Sequence, residues 1–205
     1  MSKFVLWFVK ITGWIPQLIF FRRKVFYLSG KKEKPTGKTL IISNHKSLMD
    51  FPLYMYTFPT KTIRTLAAEV LYNKGKLMAW FLKKIGCIRV DRDSYNFDFL
   101  EKTIEILDKD GVVLMFPESK LPKTDEMLEF KPSFVYIALE SGAPILPVYT
   151  NGKYGKKENA KVVIGEKIYL SDLYDKGKSE KENITYLTNY VREYVLKLGE
   201  VIDEK

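Results

Sequence analysis

Residues 39–50 read TLIISNHKSLMD, an apolar run followed directly by a polar loop. The run 39–42 predicts a buried strand, and the loop carries the chain's only histidine, His45, with Asp50 after four intervening residues. Because α/β folds place their chemistry at the carboxyl ends of strands, we expect His45 at such an end and Asp50 folded back onto it. A carboxylate fixes a histidine's tautomer and supports its cation, so the pair could act as a base. A capped surface turn with an incidental histidine is the alternative.

Strand and helix patterns alternate along the rest of the chain. Short apolar runs predict further strands at 62–67, 88–90, 112–116, 145–149 and 162–164. Apolar residues at helical intervals predict helices at 71–85, 97–107, 133–140 and 182–201. This alternation predicts a single α/β domain, with a largely parallel or mixed sheet flanked by helices. A chain of 205 residues is long enough for one such domain with its own core.

The N-terminal segment is the most apolar part of the chain. Lys10 and Pro16 interrupt it, whereas a membrane span takes about 20 apolar residues. Polar residues recur every seven positions, which on one helix gives a polar stripe: Lys3, Lys10, Gln17 and Lys24. We therefore expect residues 1–30 to form a membrane-association segment, an amphipathic helix lying in the bilayer interface, and residues 31–205 to form the main domain. Packing of this helix on the domain core is the alternative.

The net charge of +9 indicates an anionic partner: a nucleic acid, an anionic membrane surface or an acidic carrier protein. The tryptophan-containing apolar N-terminus favours the membrane surface and argues against a nucleic acid. One cysteine excludes an internal disulfide and fits a reducing cytoplasm, and one histidine with one cysteine disfavours a zinc site. We therefore expect no cofactor, and a monotopic or peripheral protein on the cytoplasmic face of the cell membrane.

Four blocks follow one another between about residues 38 and 148: the loop 43–50, GCIRVDR at 86–92, FPE at 116–118 and APILPV at 143–148. In this order and at these intervals they resemble the 1-acylglycerol-3-phosphate (lysophosphatidic acid) acyltransferase family of glycerolipid acyltransferases. The resemblance implies transfer of a fatty acyl group from acyl-CoA or acyl carrier protein to the free hydroxyl of 1-acylglycerol-3-phosphate, giving phosphatidic acid. It implies that residues 31–205 are an acyltransferase domain with His45 as general base and Asp50 orienting it, since a hydroxyl is a weak nucleophile without a base.

The third block departs from the family's Phe-Pro-Glu-Gly-Thr-Arg after Glu118. The resemblance implies that Glu118 lies near the free hydroxyl and that an arginine holds the acceptor phosphate, but Leu121 stands at the arginine position. Ser119 replaces the glycine, which removes easy access to positive φ and predicts a different path for this turn. Arg92 matches the basic end of the second block, and nearby lysines could supply further charge for the phosphate. The predicted substrate-binding residues are Arg92, Glu118, Ser119, Lys120, Lys123 and Lys131.

Other interpretations stay open at the level of sequence. The missing arginine favours the same chemistry on a different lysolipid acceptor. The basic surface could instead serve a non-catalytic lipid- or nucleic-acid-binding protein. Cys87 could be the acyl-accepting thiol of a hydrolase, although its apolar flanks indicate a buried hydrophobic residue. The donors to the oxyanion of the reaction are expected among the backbone N–H groups of residues 44–47.

Overall fold

The computed structural model describes residues 2–91, 97–155 and 159–203. Seven strands lie within these ranges: β1 (Lys24–Tyr27), β2 (Thr39–Ser43), β3 (Ile63–Ala68), β4 (Ile88–Val90), β5 (Val112–Met115), β6 (Ile145–Thr150) and β7 (Lys161–Ile164). They form one sheet in the spatial order β1-β7-β6-β2-β5-β3-β4. Neighbouring strands are parallel except for the antiparallel pair β6 and β7. The sheet is therefore mixed, as the sequence predicts.

Helices flank this sheet and complete the predicted single α/β domain. The helices of the described residues are α1 (Lys3–Thr12), α2 (Trp14–Phe20), α3 (Asp50–Thr57), α4 (Glu69–Tyr72), α5 (Lys76–Ile85), α6 (Asp98–Asp108), α7 (Ser133–Ser141) and α8 (Glu180–Asp203). A 3₁₀ turn at Leu170–Leu173 precedes α8. The predicted fold class is confirmed.

Strand β2 lies in the middle of the sheet and is buried on both faces. All five of its residues are 0% exposed. Leu40 and Ile42 belong to the core layer that α6, α7 and α8 cover, while Ile41 belongs to the layer on the opposite face. A parallel strand covered on both faces requires a continuous apolar run, which explains why its sequence does not alternate. His45 follows this strand by two residues and so emerges at the carboxyl edge of the sheet.

Two elements differ from the sequence-based expectation in ways that local chemistry explains. The predicted single helix at 71–85 is wrong: α4 ends at Tyr72 and α5 begins at Lys76. Gly75 between them adopts a φ of 143°, which no helix accommodates. The pattern also does not predict α3, whose Pro52 suggests a helix break. Proline is tolerated there because it lies in the first turn, where the backbone N–H has no helical partner.

The N-terminal segment forms two helices, α1 and α2, where the sequence predicts one. They meet at Gly13, where a Cβ atom would lie 1.9 Å from the hydroxyl oxygen of Tyr56. Glycine is therefore what allows the chain to approach the domain so closely at this bend. Within the part of the chain that the structure describes, no helix combines the length and the apolar character needed to cross a bilayer.

Two residues of the predicted polar stripe, Lys10 and Gln17, face the domain. The ammonium of Lys10 donates to two backbone carbonyls just before β3, and Gln17 is only 3% exposed. Lys24 lies in β1, so the stripe does not continue on one helix, and the predicted segment 1–30 contains a strand of the sheet. The opposite surface of α1 and α2 exposes large apolar side chains: Phe4, Trp7, Phe8, Ile11, Trp14, Ile15, Leu18 and Ile19. We call this set the N-terminal apolar face.

Candidate active site

His45 and Asp50 lie together beyond the carboxyl end of β2, where the sequence predicts them. Nδ1 of His45 is 2.8 Å from Oδ2 of Asp50, and the imidazole stacks on Phe116 with ring centroids 4.2 Å apart. Asp50 is 0% exposed, which rules out an incidental surface turn. The hydrogen bond favours the tautomer with its proton on Nδ1 and leaves the lone pair on Nε2. Among the described residues, no protein group bonds to Nε2.

The carboxylate of Asp50 accepts hydrogen bonds on both oxygens. Oδ2 accepts the backbone N–H groups of Lys46 and Ser47 at 2.7 and 2.8 Å, in addition to His45. Oδ1 accepts the hydroxyl of Tyr154, from the loop that follows β6. Asp50 is also the first residue of α3, where the helix dipole favours negative charge. The loop after His45 therefore wraps around the carboxylate of Asp50, its last residue.

Glu118 holds the main chain of His45 in place. Its Oε1 accepts the N–H of His45 at 2.7 Å, and its Oε2 accepts the N–H of Leu128 at 2.8 Å. The side chain is 2% exposed, and burial raises the pKa of its carboxyl group although both hydrogen bonds oppose that rise. Both oxygens already have backbone partners in this structure. Glu118 thus connects the end of β2 to the loop before α7.

The expected oxyanion donors are not available in residues 45–47. The N–H of His45 is bonded to Glu118, and those of Lys46 and Ser47 are bonded to Asp50. The prediction is therefore wrong for these three groups. Their role is to hold the two carboxylates that shape the loop.

Two further contacts fix the carboxyl ends of the central strands. The side-chain amide of Asn44 donates to the carbonyl of Thr150 at 2.9 Å, and its oxygen accepts the N–H of Thr150 at 2.8 Å. The hydroxyls of Ser43 and Tyr54 lie 2.6 Å apart, which links β2 to α3. Burial raises the pKa of Tyr54 and keeps this phenol protonated. Nothing local in the sequence marks Thr150 as the partner of Asn44, because the two residues lie 106 positions apart.

A cavity of about 360 Å³ lies beside His45. Its walls are mainly apolar and come from β3, β4, β5 and α6, through Leu66, Val90, Met115 and Phe99. Volumes of about 300 Å³ and above are typical of ligand pockets, and most such pockets have apolar walls with few polar groups. The cavity therefore has the size and chemistry of a binding site next to the imidazole.

The predicted substrate-binding residues differ in whether they line this cavity. Ser119 and Lys131 line the cavity together with His45. Lys120 and Lys123 are exposed and do not contribute to its lining. Arg92 lies outside the described residues. Among the described residues, the cationic side chain that lines this cavity is therefore Lys131.

Ser119 keeps a conformation that glycine usually provides. Its φ is 59°, in the left-handed region. Replacement of glycine by serine therefore does not prevent a positive φ at this turn. Such a conformation costs a non-glycine residue about 1–2 kcal/mol.

Cys87 does not support the hydrolase interpretation. Burial raises the pKa of its thiol to about 12, so the reactive thiolate is scarce near neutral pH. The partly buried side chain packs against a cluster of buried hydrophobic residues that includes Leu6, Tyr72 and Ile85, and it does not line the cavity beside His45. Its placement is that of a small hydrophobic residue.

Comparison with known proteins points to one family. A family model described as Acyltransferase matches residues 25–151, which is more than half of the chain. A relative from Cocos nucifera, named 1-acyl-sn-glycerol-3-phosphate acyltransferase, is 28% identical over 120 residues, or 57% of this chain and 38% of that protein. A relative of the same name from Haemophilus influenzae is 21% identical over 202 residues, or 95% of this chain and 82% of that protein. The chain thus spans less than half the length of the plant relative.

The fold also has a counterpart among solved structures. The crystal structure of the 1-acyl-sn-glycerophosphate (LPA) acyltransferase PlsC from Thermotoga maritima matches with a TM-score of 0.69 and 23% sequence identity. The match covers 97% of this chain and 80% of that chain. It shows that the two share a fold.

Proposed function

This chain belongs to the acyltransferase family, and we propose that it transfers a fatty acyl group from acyl-CoA or acyl carrier protein to the free hydroxyl of 1-acylglycerol-3-phosphate, giving phosphatidic acid. One observation carries the proposal: Nδ1 of the sole histidine bonds to buried Asp50, and Nε2 has no partner among the described residues. His45 lines an apolar cavity of about 360 Å³, which suits an acyl chain. The names of the relatives support this acceptor.

The proposed chemistry uses Nε2 of His45 as a general base. It takes the proton of the acceptor hydroxyl, whose oxygen attacks the carbonyl carbon of the thioester. The carbon–sulfur bond then breaks, and the imidazolium returns the proton to the departing thiolate, leaving an ester and a thiol. Asp50 supports the imidazolium through Nδ1. No acyl-enzyme forms, because the acceptor hydroxyl is itself the nucleophile.

Lys131 is the best supported partner for the acceptor phosphate. It lines the same cavity as His45, and its ammonium offers charge-assisted hydrogen bonds to phosphate oxygens. We propose Arg92, at the end of the second sequence block, as a second cation for the acceptor phosphate. Lys120 and Lys123 receive less support because they lie outside the cavity lining. Ser119 could donate its hydroxyl to the same phosphate, since it also lines the cavity.

A different lysolipid acceptor is the second candidate, and Leu121 favours it. The residue is 39% exposed and cannot provide the forked guanidinium that a phosphate monoester prefers. An acyl-transfer assay over a panel of lysolipids, with CoA and carrier-protein donors, distinguishes the two acceptors. We expect lysophosphatidic acid to give the highest kcat/KM. Equal use of a lysolipid without a terminal phosphate would favour the second candidate.

His45→Ala tests the reaction itself. Loss of a general base lowers turnover by about 10²–10⁴-fold, while the loop should stay folded because Asp50 keeps its backbone and tyrosine donors. The expected result is a folded protein, by circular dichroism and thermal unfolding, without measurable acyl transfer. A folded variant with nearly full turnover would contradict the proposed mechanism.

We further propose that residues 1–23 attach the protein to the cytoplasmic face of the membrane through the N-terminal apolar face. The support is the inverted polarity of α1 and α2, since Lys10 and Gln17 face the domain while eight large apolar side chains face outward. Such a surface suits lipid better than water. The double substitution Phe4→Asp with Ile15→Asp should abolish flotation with anionic vesicles. Leu196→Asp, an exposed leucine on α8, is the matched control and should still float.

A further inference from the structure

We propose that Tyr154 is a positioning residue for the His45–Asp50 pair, a role that rests on the function proposed above. Its hydroxyl donates to Oδ1 of Asp50, the carboxylate oxygen that His45 does not use. Tyr154 lies three residues beyond the region that the family model matches and 104 residues from Asp50. Its contact with the site is visible only in the folded protein.

The loop after β6 is built to bring Tyr154 to this position. Gly152 adopts a φ of 67°, and a Cβ atom there would lie 2.3 Å from Cβ of Lys46. Glycine thus lets the loop lie directly against the residue that follows His45. Asn151 secures the loop, since its Oδ1 accepts the N–H groups of Lys153 and Lys161 at 3.2 and 2.9 Å.

The ring of Tyr154 is held from its other side by Phe21. The two rings meet edge to face with centroids 5.6 Å apart, and Phe21 is only 2% exposed. The backbone of Phe21 is itself fixed, because its N–H donates to Gln17 and its carbonyl accepts the N–H of Ala160. The phenol therefore lies between the end of the N-terminal helices and Asp50. A rotation of Tyr154 away from Asp50 would have to displace Phe21.

The chemistry of the phenol suits a permanent donor. Burial, followed by the charge of Asp50, raises the pKa of Tyr154, so the hydroxyl keeps its proton near neutral pH. By donating to Oδ1 it fixes the rotation of the carboxylate and withdraws part of its charge from His45. Among the described residues, the other ionisable groups around the pair are Tyr54, Glu118 and Lys46, and Asp91 and Lys131 line the cavity beside His45. Without the Tyr154 hydroxyl, Oδ1 would have no donor from the described part of the chain, and more negative charge would face the imidazole.

Tyr154→Phe tests this role because it removes the hydroxyl and keeps the ring against Phe21. We expect kcat to fall by about 10- to 100-fold, as for residues that hold a reacting side chain through one intermediary. The KM values for donor and acceptor should change by no more than about twofold, because Tyr154 does not line the cavity. The acid limb of the kcat/KM profile should move to higher pH, since a more exposed Asp50 charge favours the imidazolium form.

A second measurement does not depend on activity. His45 is the only histidine, so its ring signals can be followed by NMR titration without overlap. In Tyr154→Phe the titration midpoint should rise relative to that of the unmodified protein. If the unmodified protein transfers no acyl group, the proposed function fails, whereas the NMR comparison still tests the positioning of His45.

Tyr194→Phe is the matched control. It also removes one phenolic hydroxyl, which in the unmodified protein accepts the N–H of Glu166 at 3.2 Å. It should leave kcat, the pH profile and the His45 titration unchanged. Phe21→Leu keeps the Tyr154 hydroxyl but loosens its ring, and should give a smaller change of the same sign. A Tyr154→Phe variant with the titration midpoint and pH profile of the unmodified protein would overturn the proposal.

Discussion

Asp50→Asn removes the negative charge of this residue but can keep its hydrogen bonds. The amide oxygen can replace Oδ2 and accept the same three N–H donors, from Lys46, Ser47 and His45. The amide nitrogen would then face the oxygen of Tyr154, which can accept a hydrogen bond. The packing is therefore conserved and only the charge is lost. A hydrogen bond to a charged group contributes about 1.5–3 kcal/mol and a neutral one about 0.5–1.5, so each of the four bonds weakens by about 1 kcal/mol, and the lower cost of burying a neutral amide offsets part of this loss.

Asp50→Ala removes the hydrogen bonds together with the charge. The N–H groups of Lys46 and Ser47 and the hydroxyl of Tyr154 then lose their acceptor, whereas a neutral His45 can place its proton on Nε2 instead. Each buried unsatisfied donor costs about 1–3 kcal/mol, so alanine should lower the free energy of unfolding by roughly 3 kcal/mol or more, and by more than asparagine does. Asparagine and alanine at this position should thus differ clearly in thermal unfolding, while both lose activity.

The kinetic expectation for Asp50→Asn is a fall in kcat on the order of 10³–10⁴-fold, because the imidazolium of the proposed reaction would lose its counter-charge. The assay is acyl transfer to lysophosphatidic acid, measured beside thermal unfolding of the same preparation. A folded Asp50→Asn protein with turnover within about tenfold of the original would show that the charge is not needed. An asparagine variant as unstable as the alanine variant would show that the hydrogen-bond reasoning is wrong.

Three further predictions concern Lys131 and Ser119, which line the cavity, and Cys87, which does not. Lys131→Ala should raise the acceptor KM more than the donor KM in steady-state assays, whereas the exposed Lys123→Ala should change neither, and equal effects would remove Lys131 from the phosphate site. Ser119→Gly should raise the free energy of unfolding in urea by about 0.5–1 kcal/mol, because glycine adopts the observed φ of 59° without strain; a loss of stability would contradict this. Cys87→Ala should retain acyl transfer, and a folded but inactive variant would revive the thiol mechanism.

The parts of the fold that the sequence predicts are those with a strong local signal. Strand β2 is a continuous apolar run because helices cover both of its faces, and the end of α7 is marked by Gly142, which adopts a φ of 65°. The position of the His45–Asp50 pair is also local, since both residues belong to one short loop. By contrast, β1 (Lys24–Tyr27) is four residues long, lies at the edge of the sheet and is only partly buried. Strand β1 is stabilised by pairing with β7, and no local sequence pattern predicts that pairing.

The contacts that complete the site are the ones that sequence could not predict. Tyr154 reaches Asp50 across 104 residues, and Asn44 binds Thr150 across 106. Both depend on β6 lying parallel to β2, which brings their carboxyl ends to the same edge of the sheet. The side of the N-terminal helices that faces the domain could not be predicted for a similar reason. A seven-residue spacing identifies a polar stripe but does not reveal whether water or the protein satisfies it.

The surroundings of Asp50 explain how a buried carboxylate remains available to a single partner. Its hydrogen bonds come from backbone N–H groups, a phenol and the imidazole, and its place at the start of α3 adds the field of the helix dipole. Within the described ranges of the chain, its only ion-pair partner is His45. A lysine or arginine paired with Asp50 would neutralise the carboxylate permanently. The carboxylate would then stabilise the imidazolium of His45 only weakly. Because neutral dipoles hold the carboxylate instead, its charge is left for the cation that appears only when His45 takes a proton. The same reasoning predicts that introducing a cation beside Asp50 would stabilise the loop and slow the reaction.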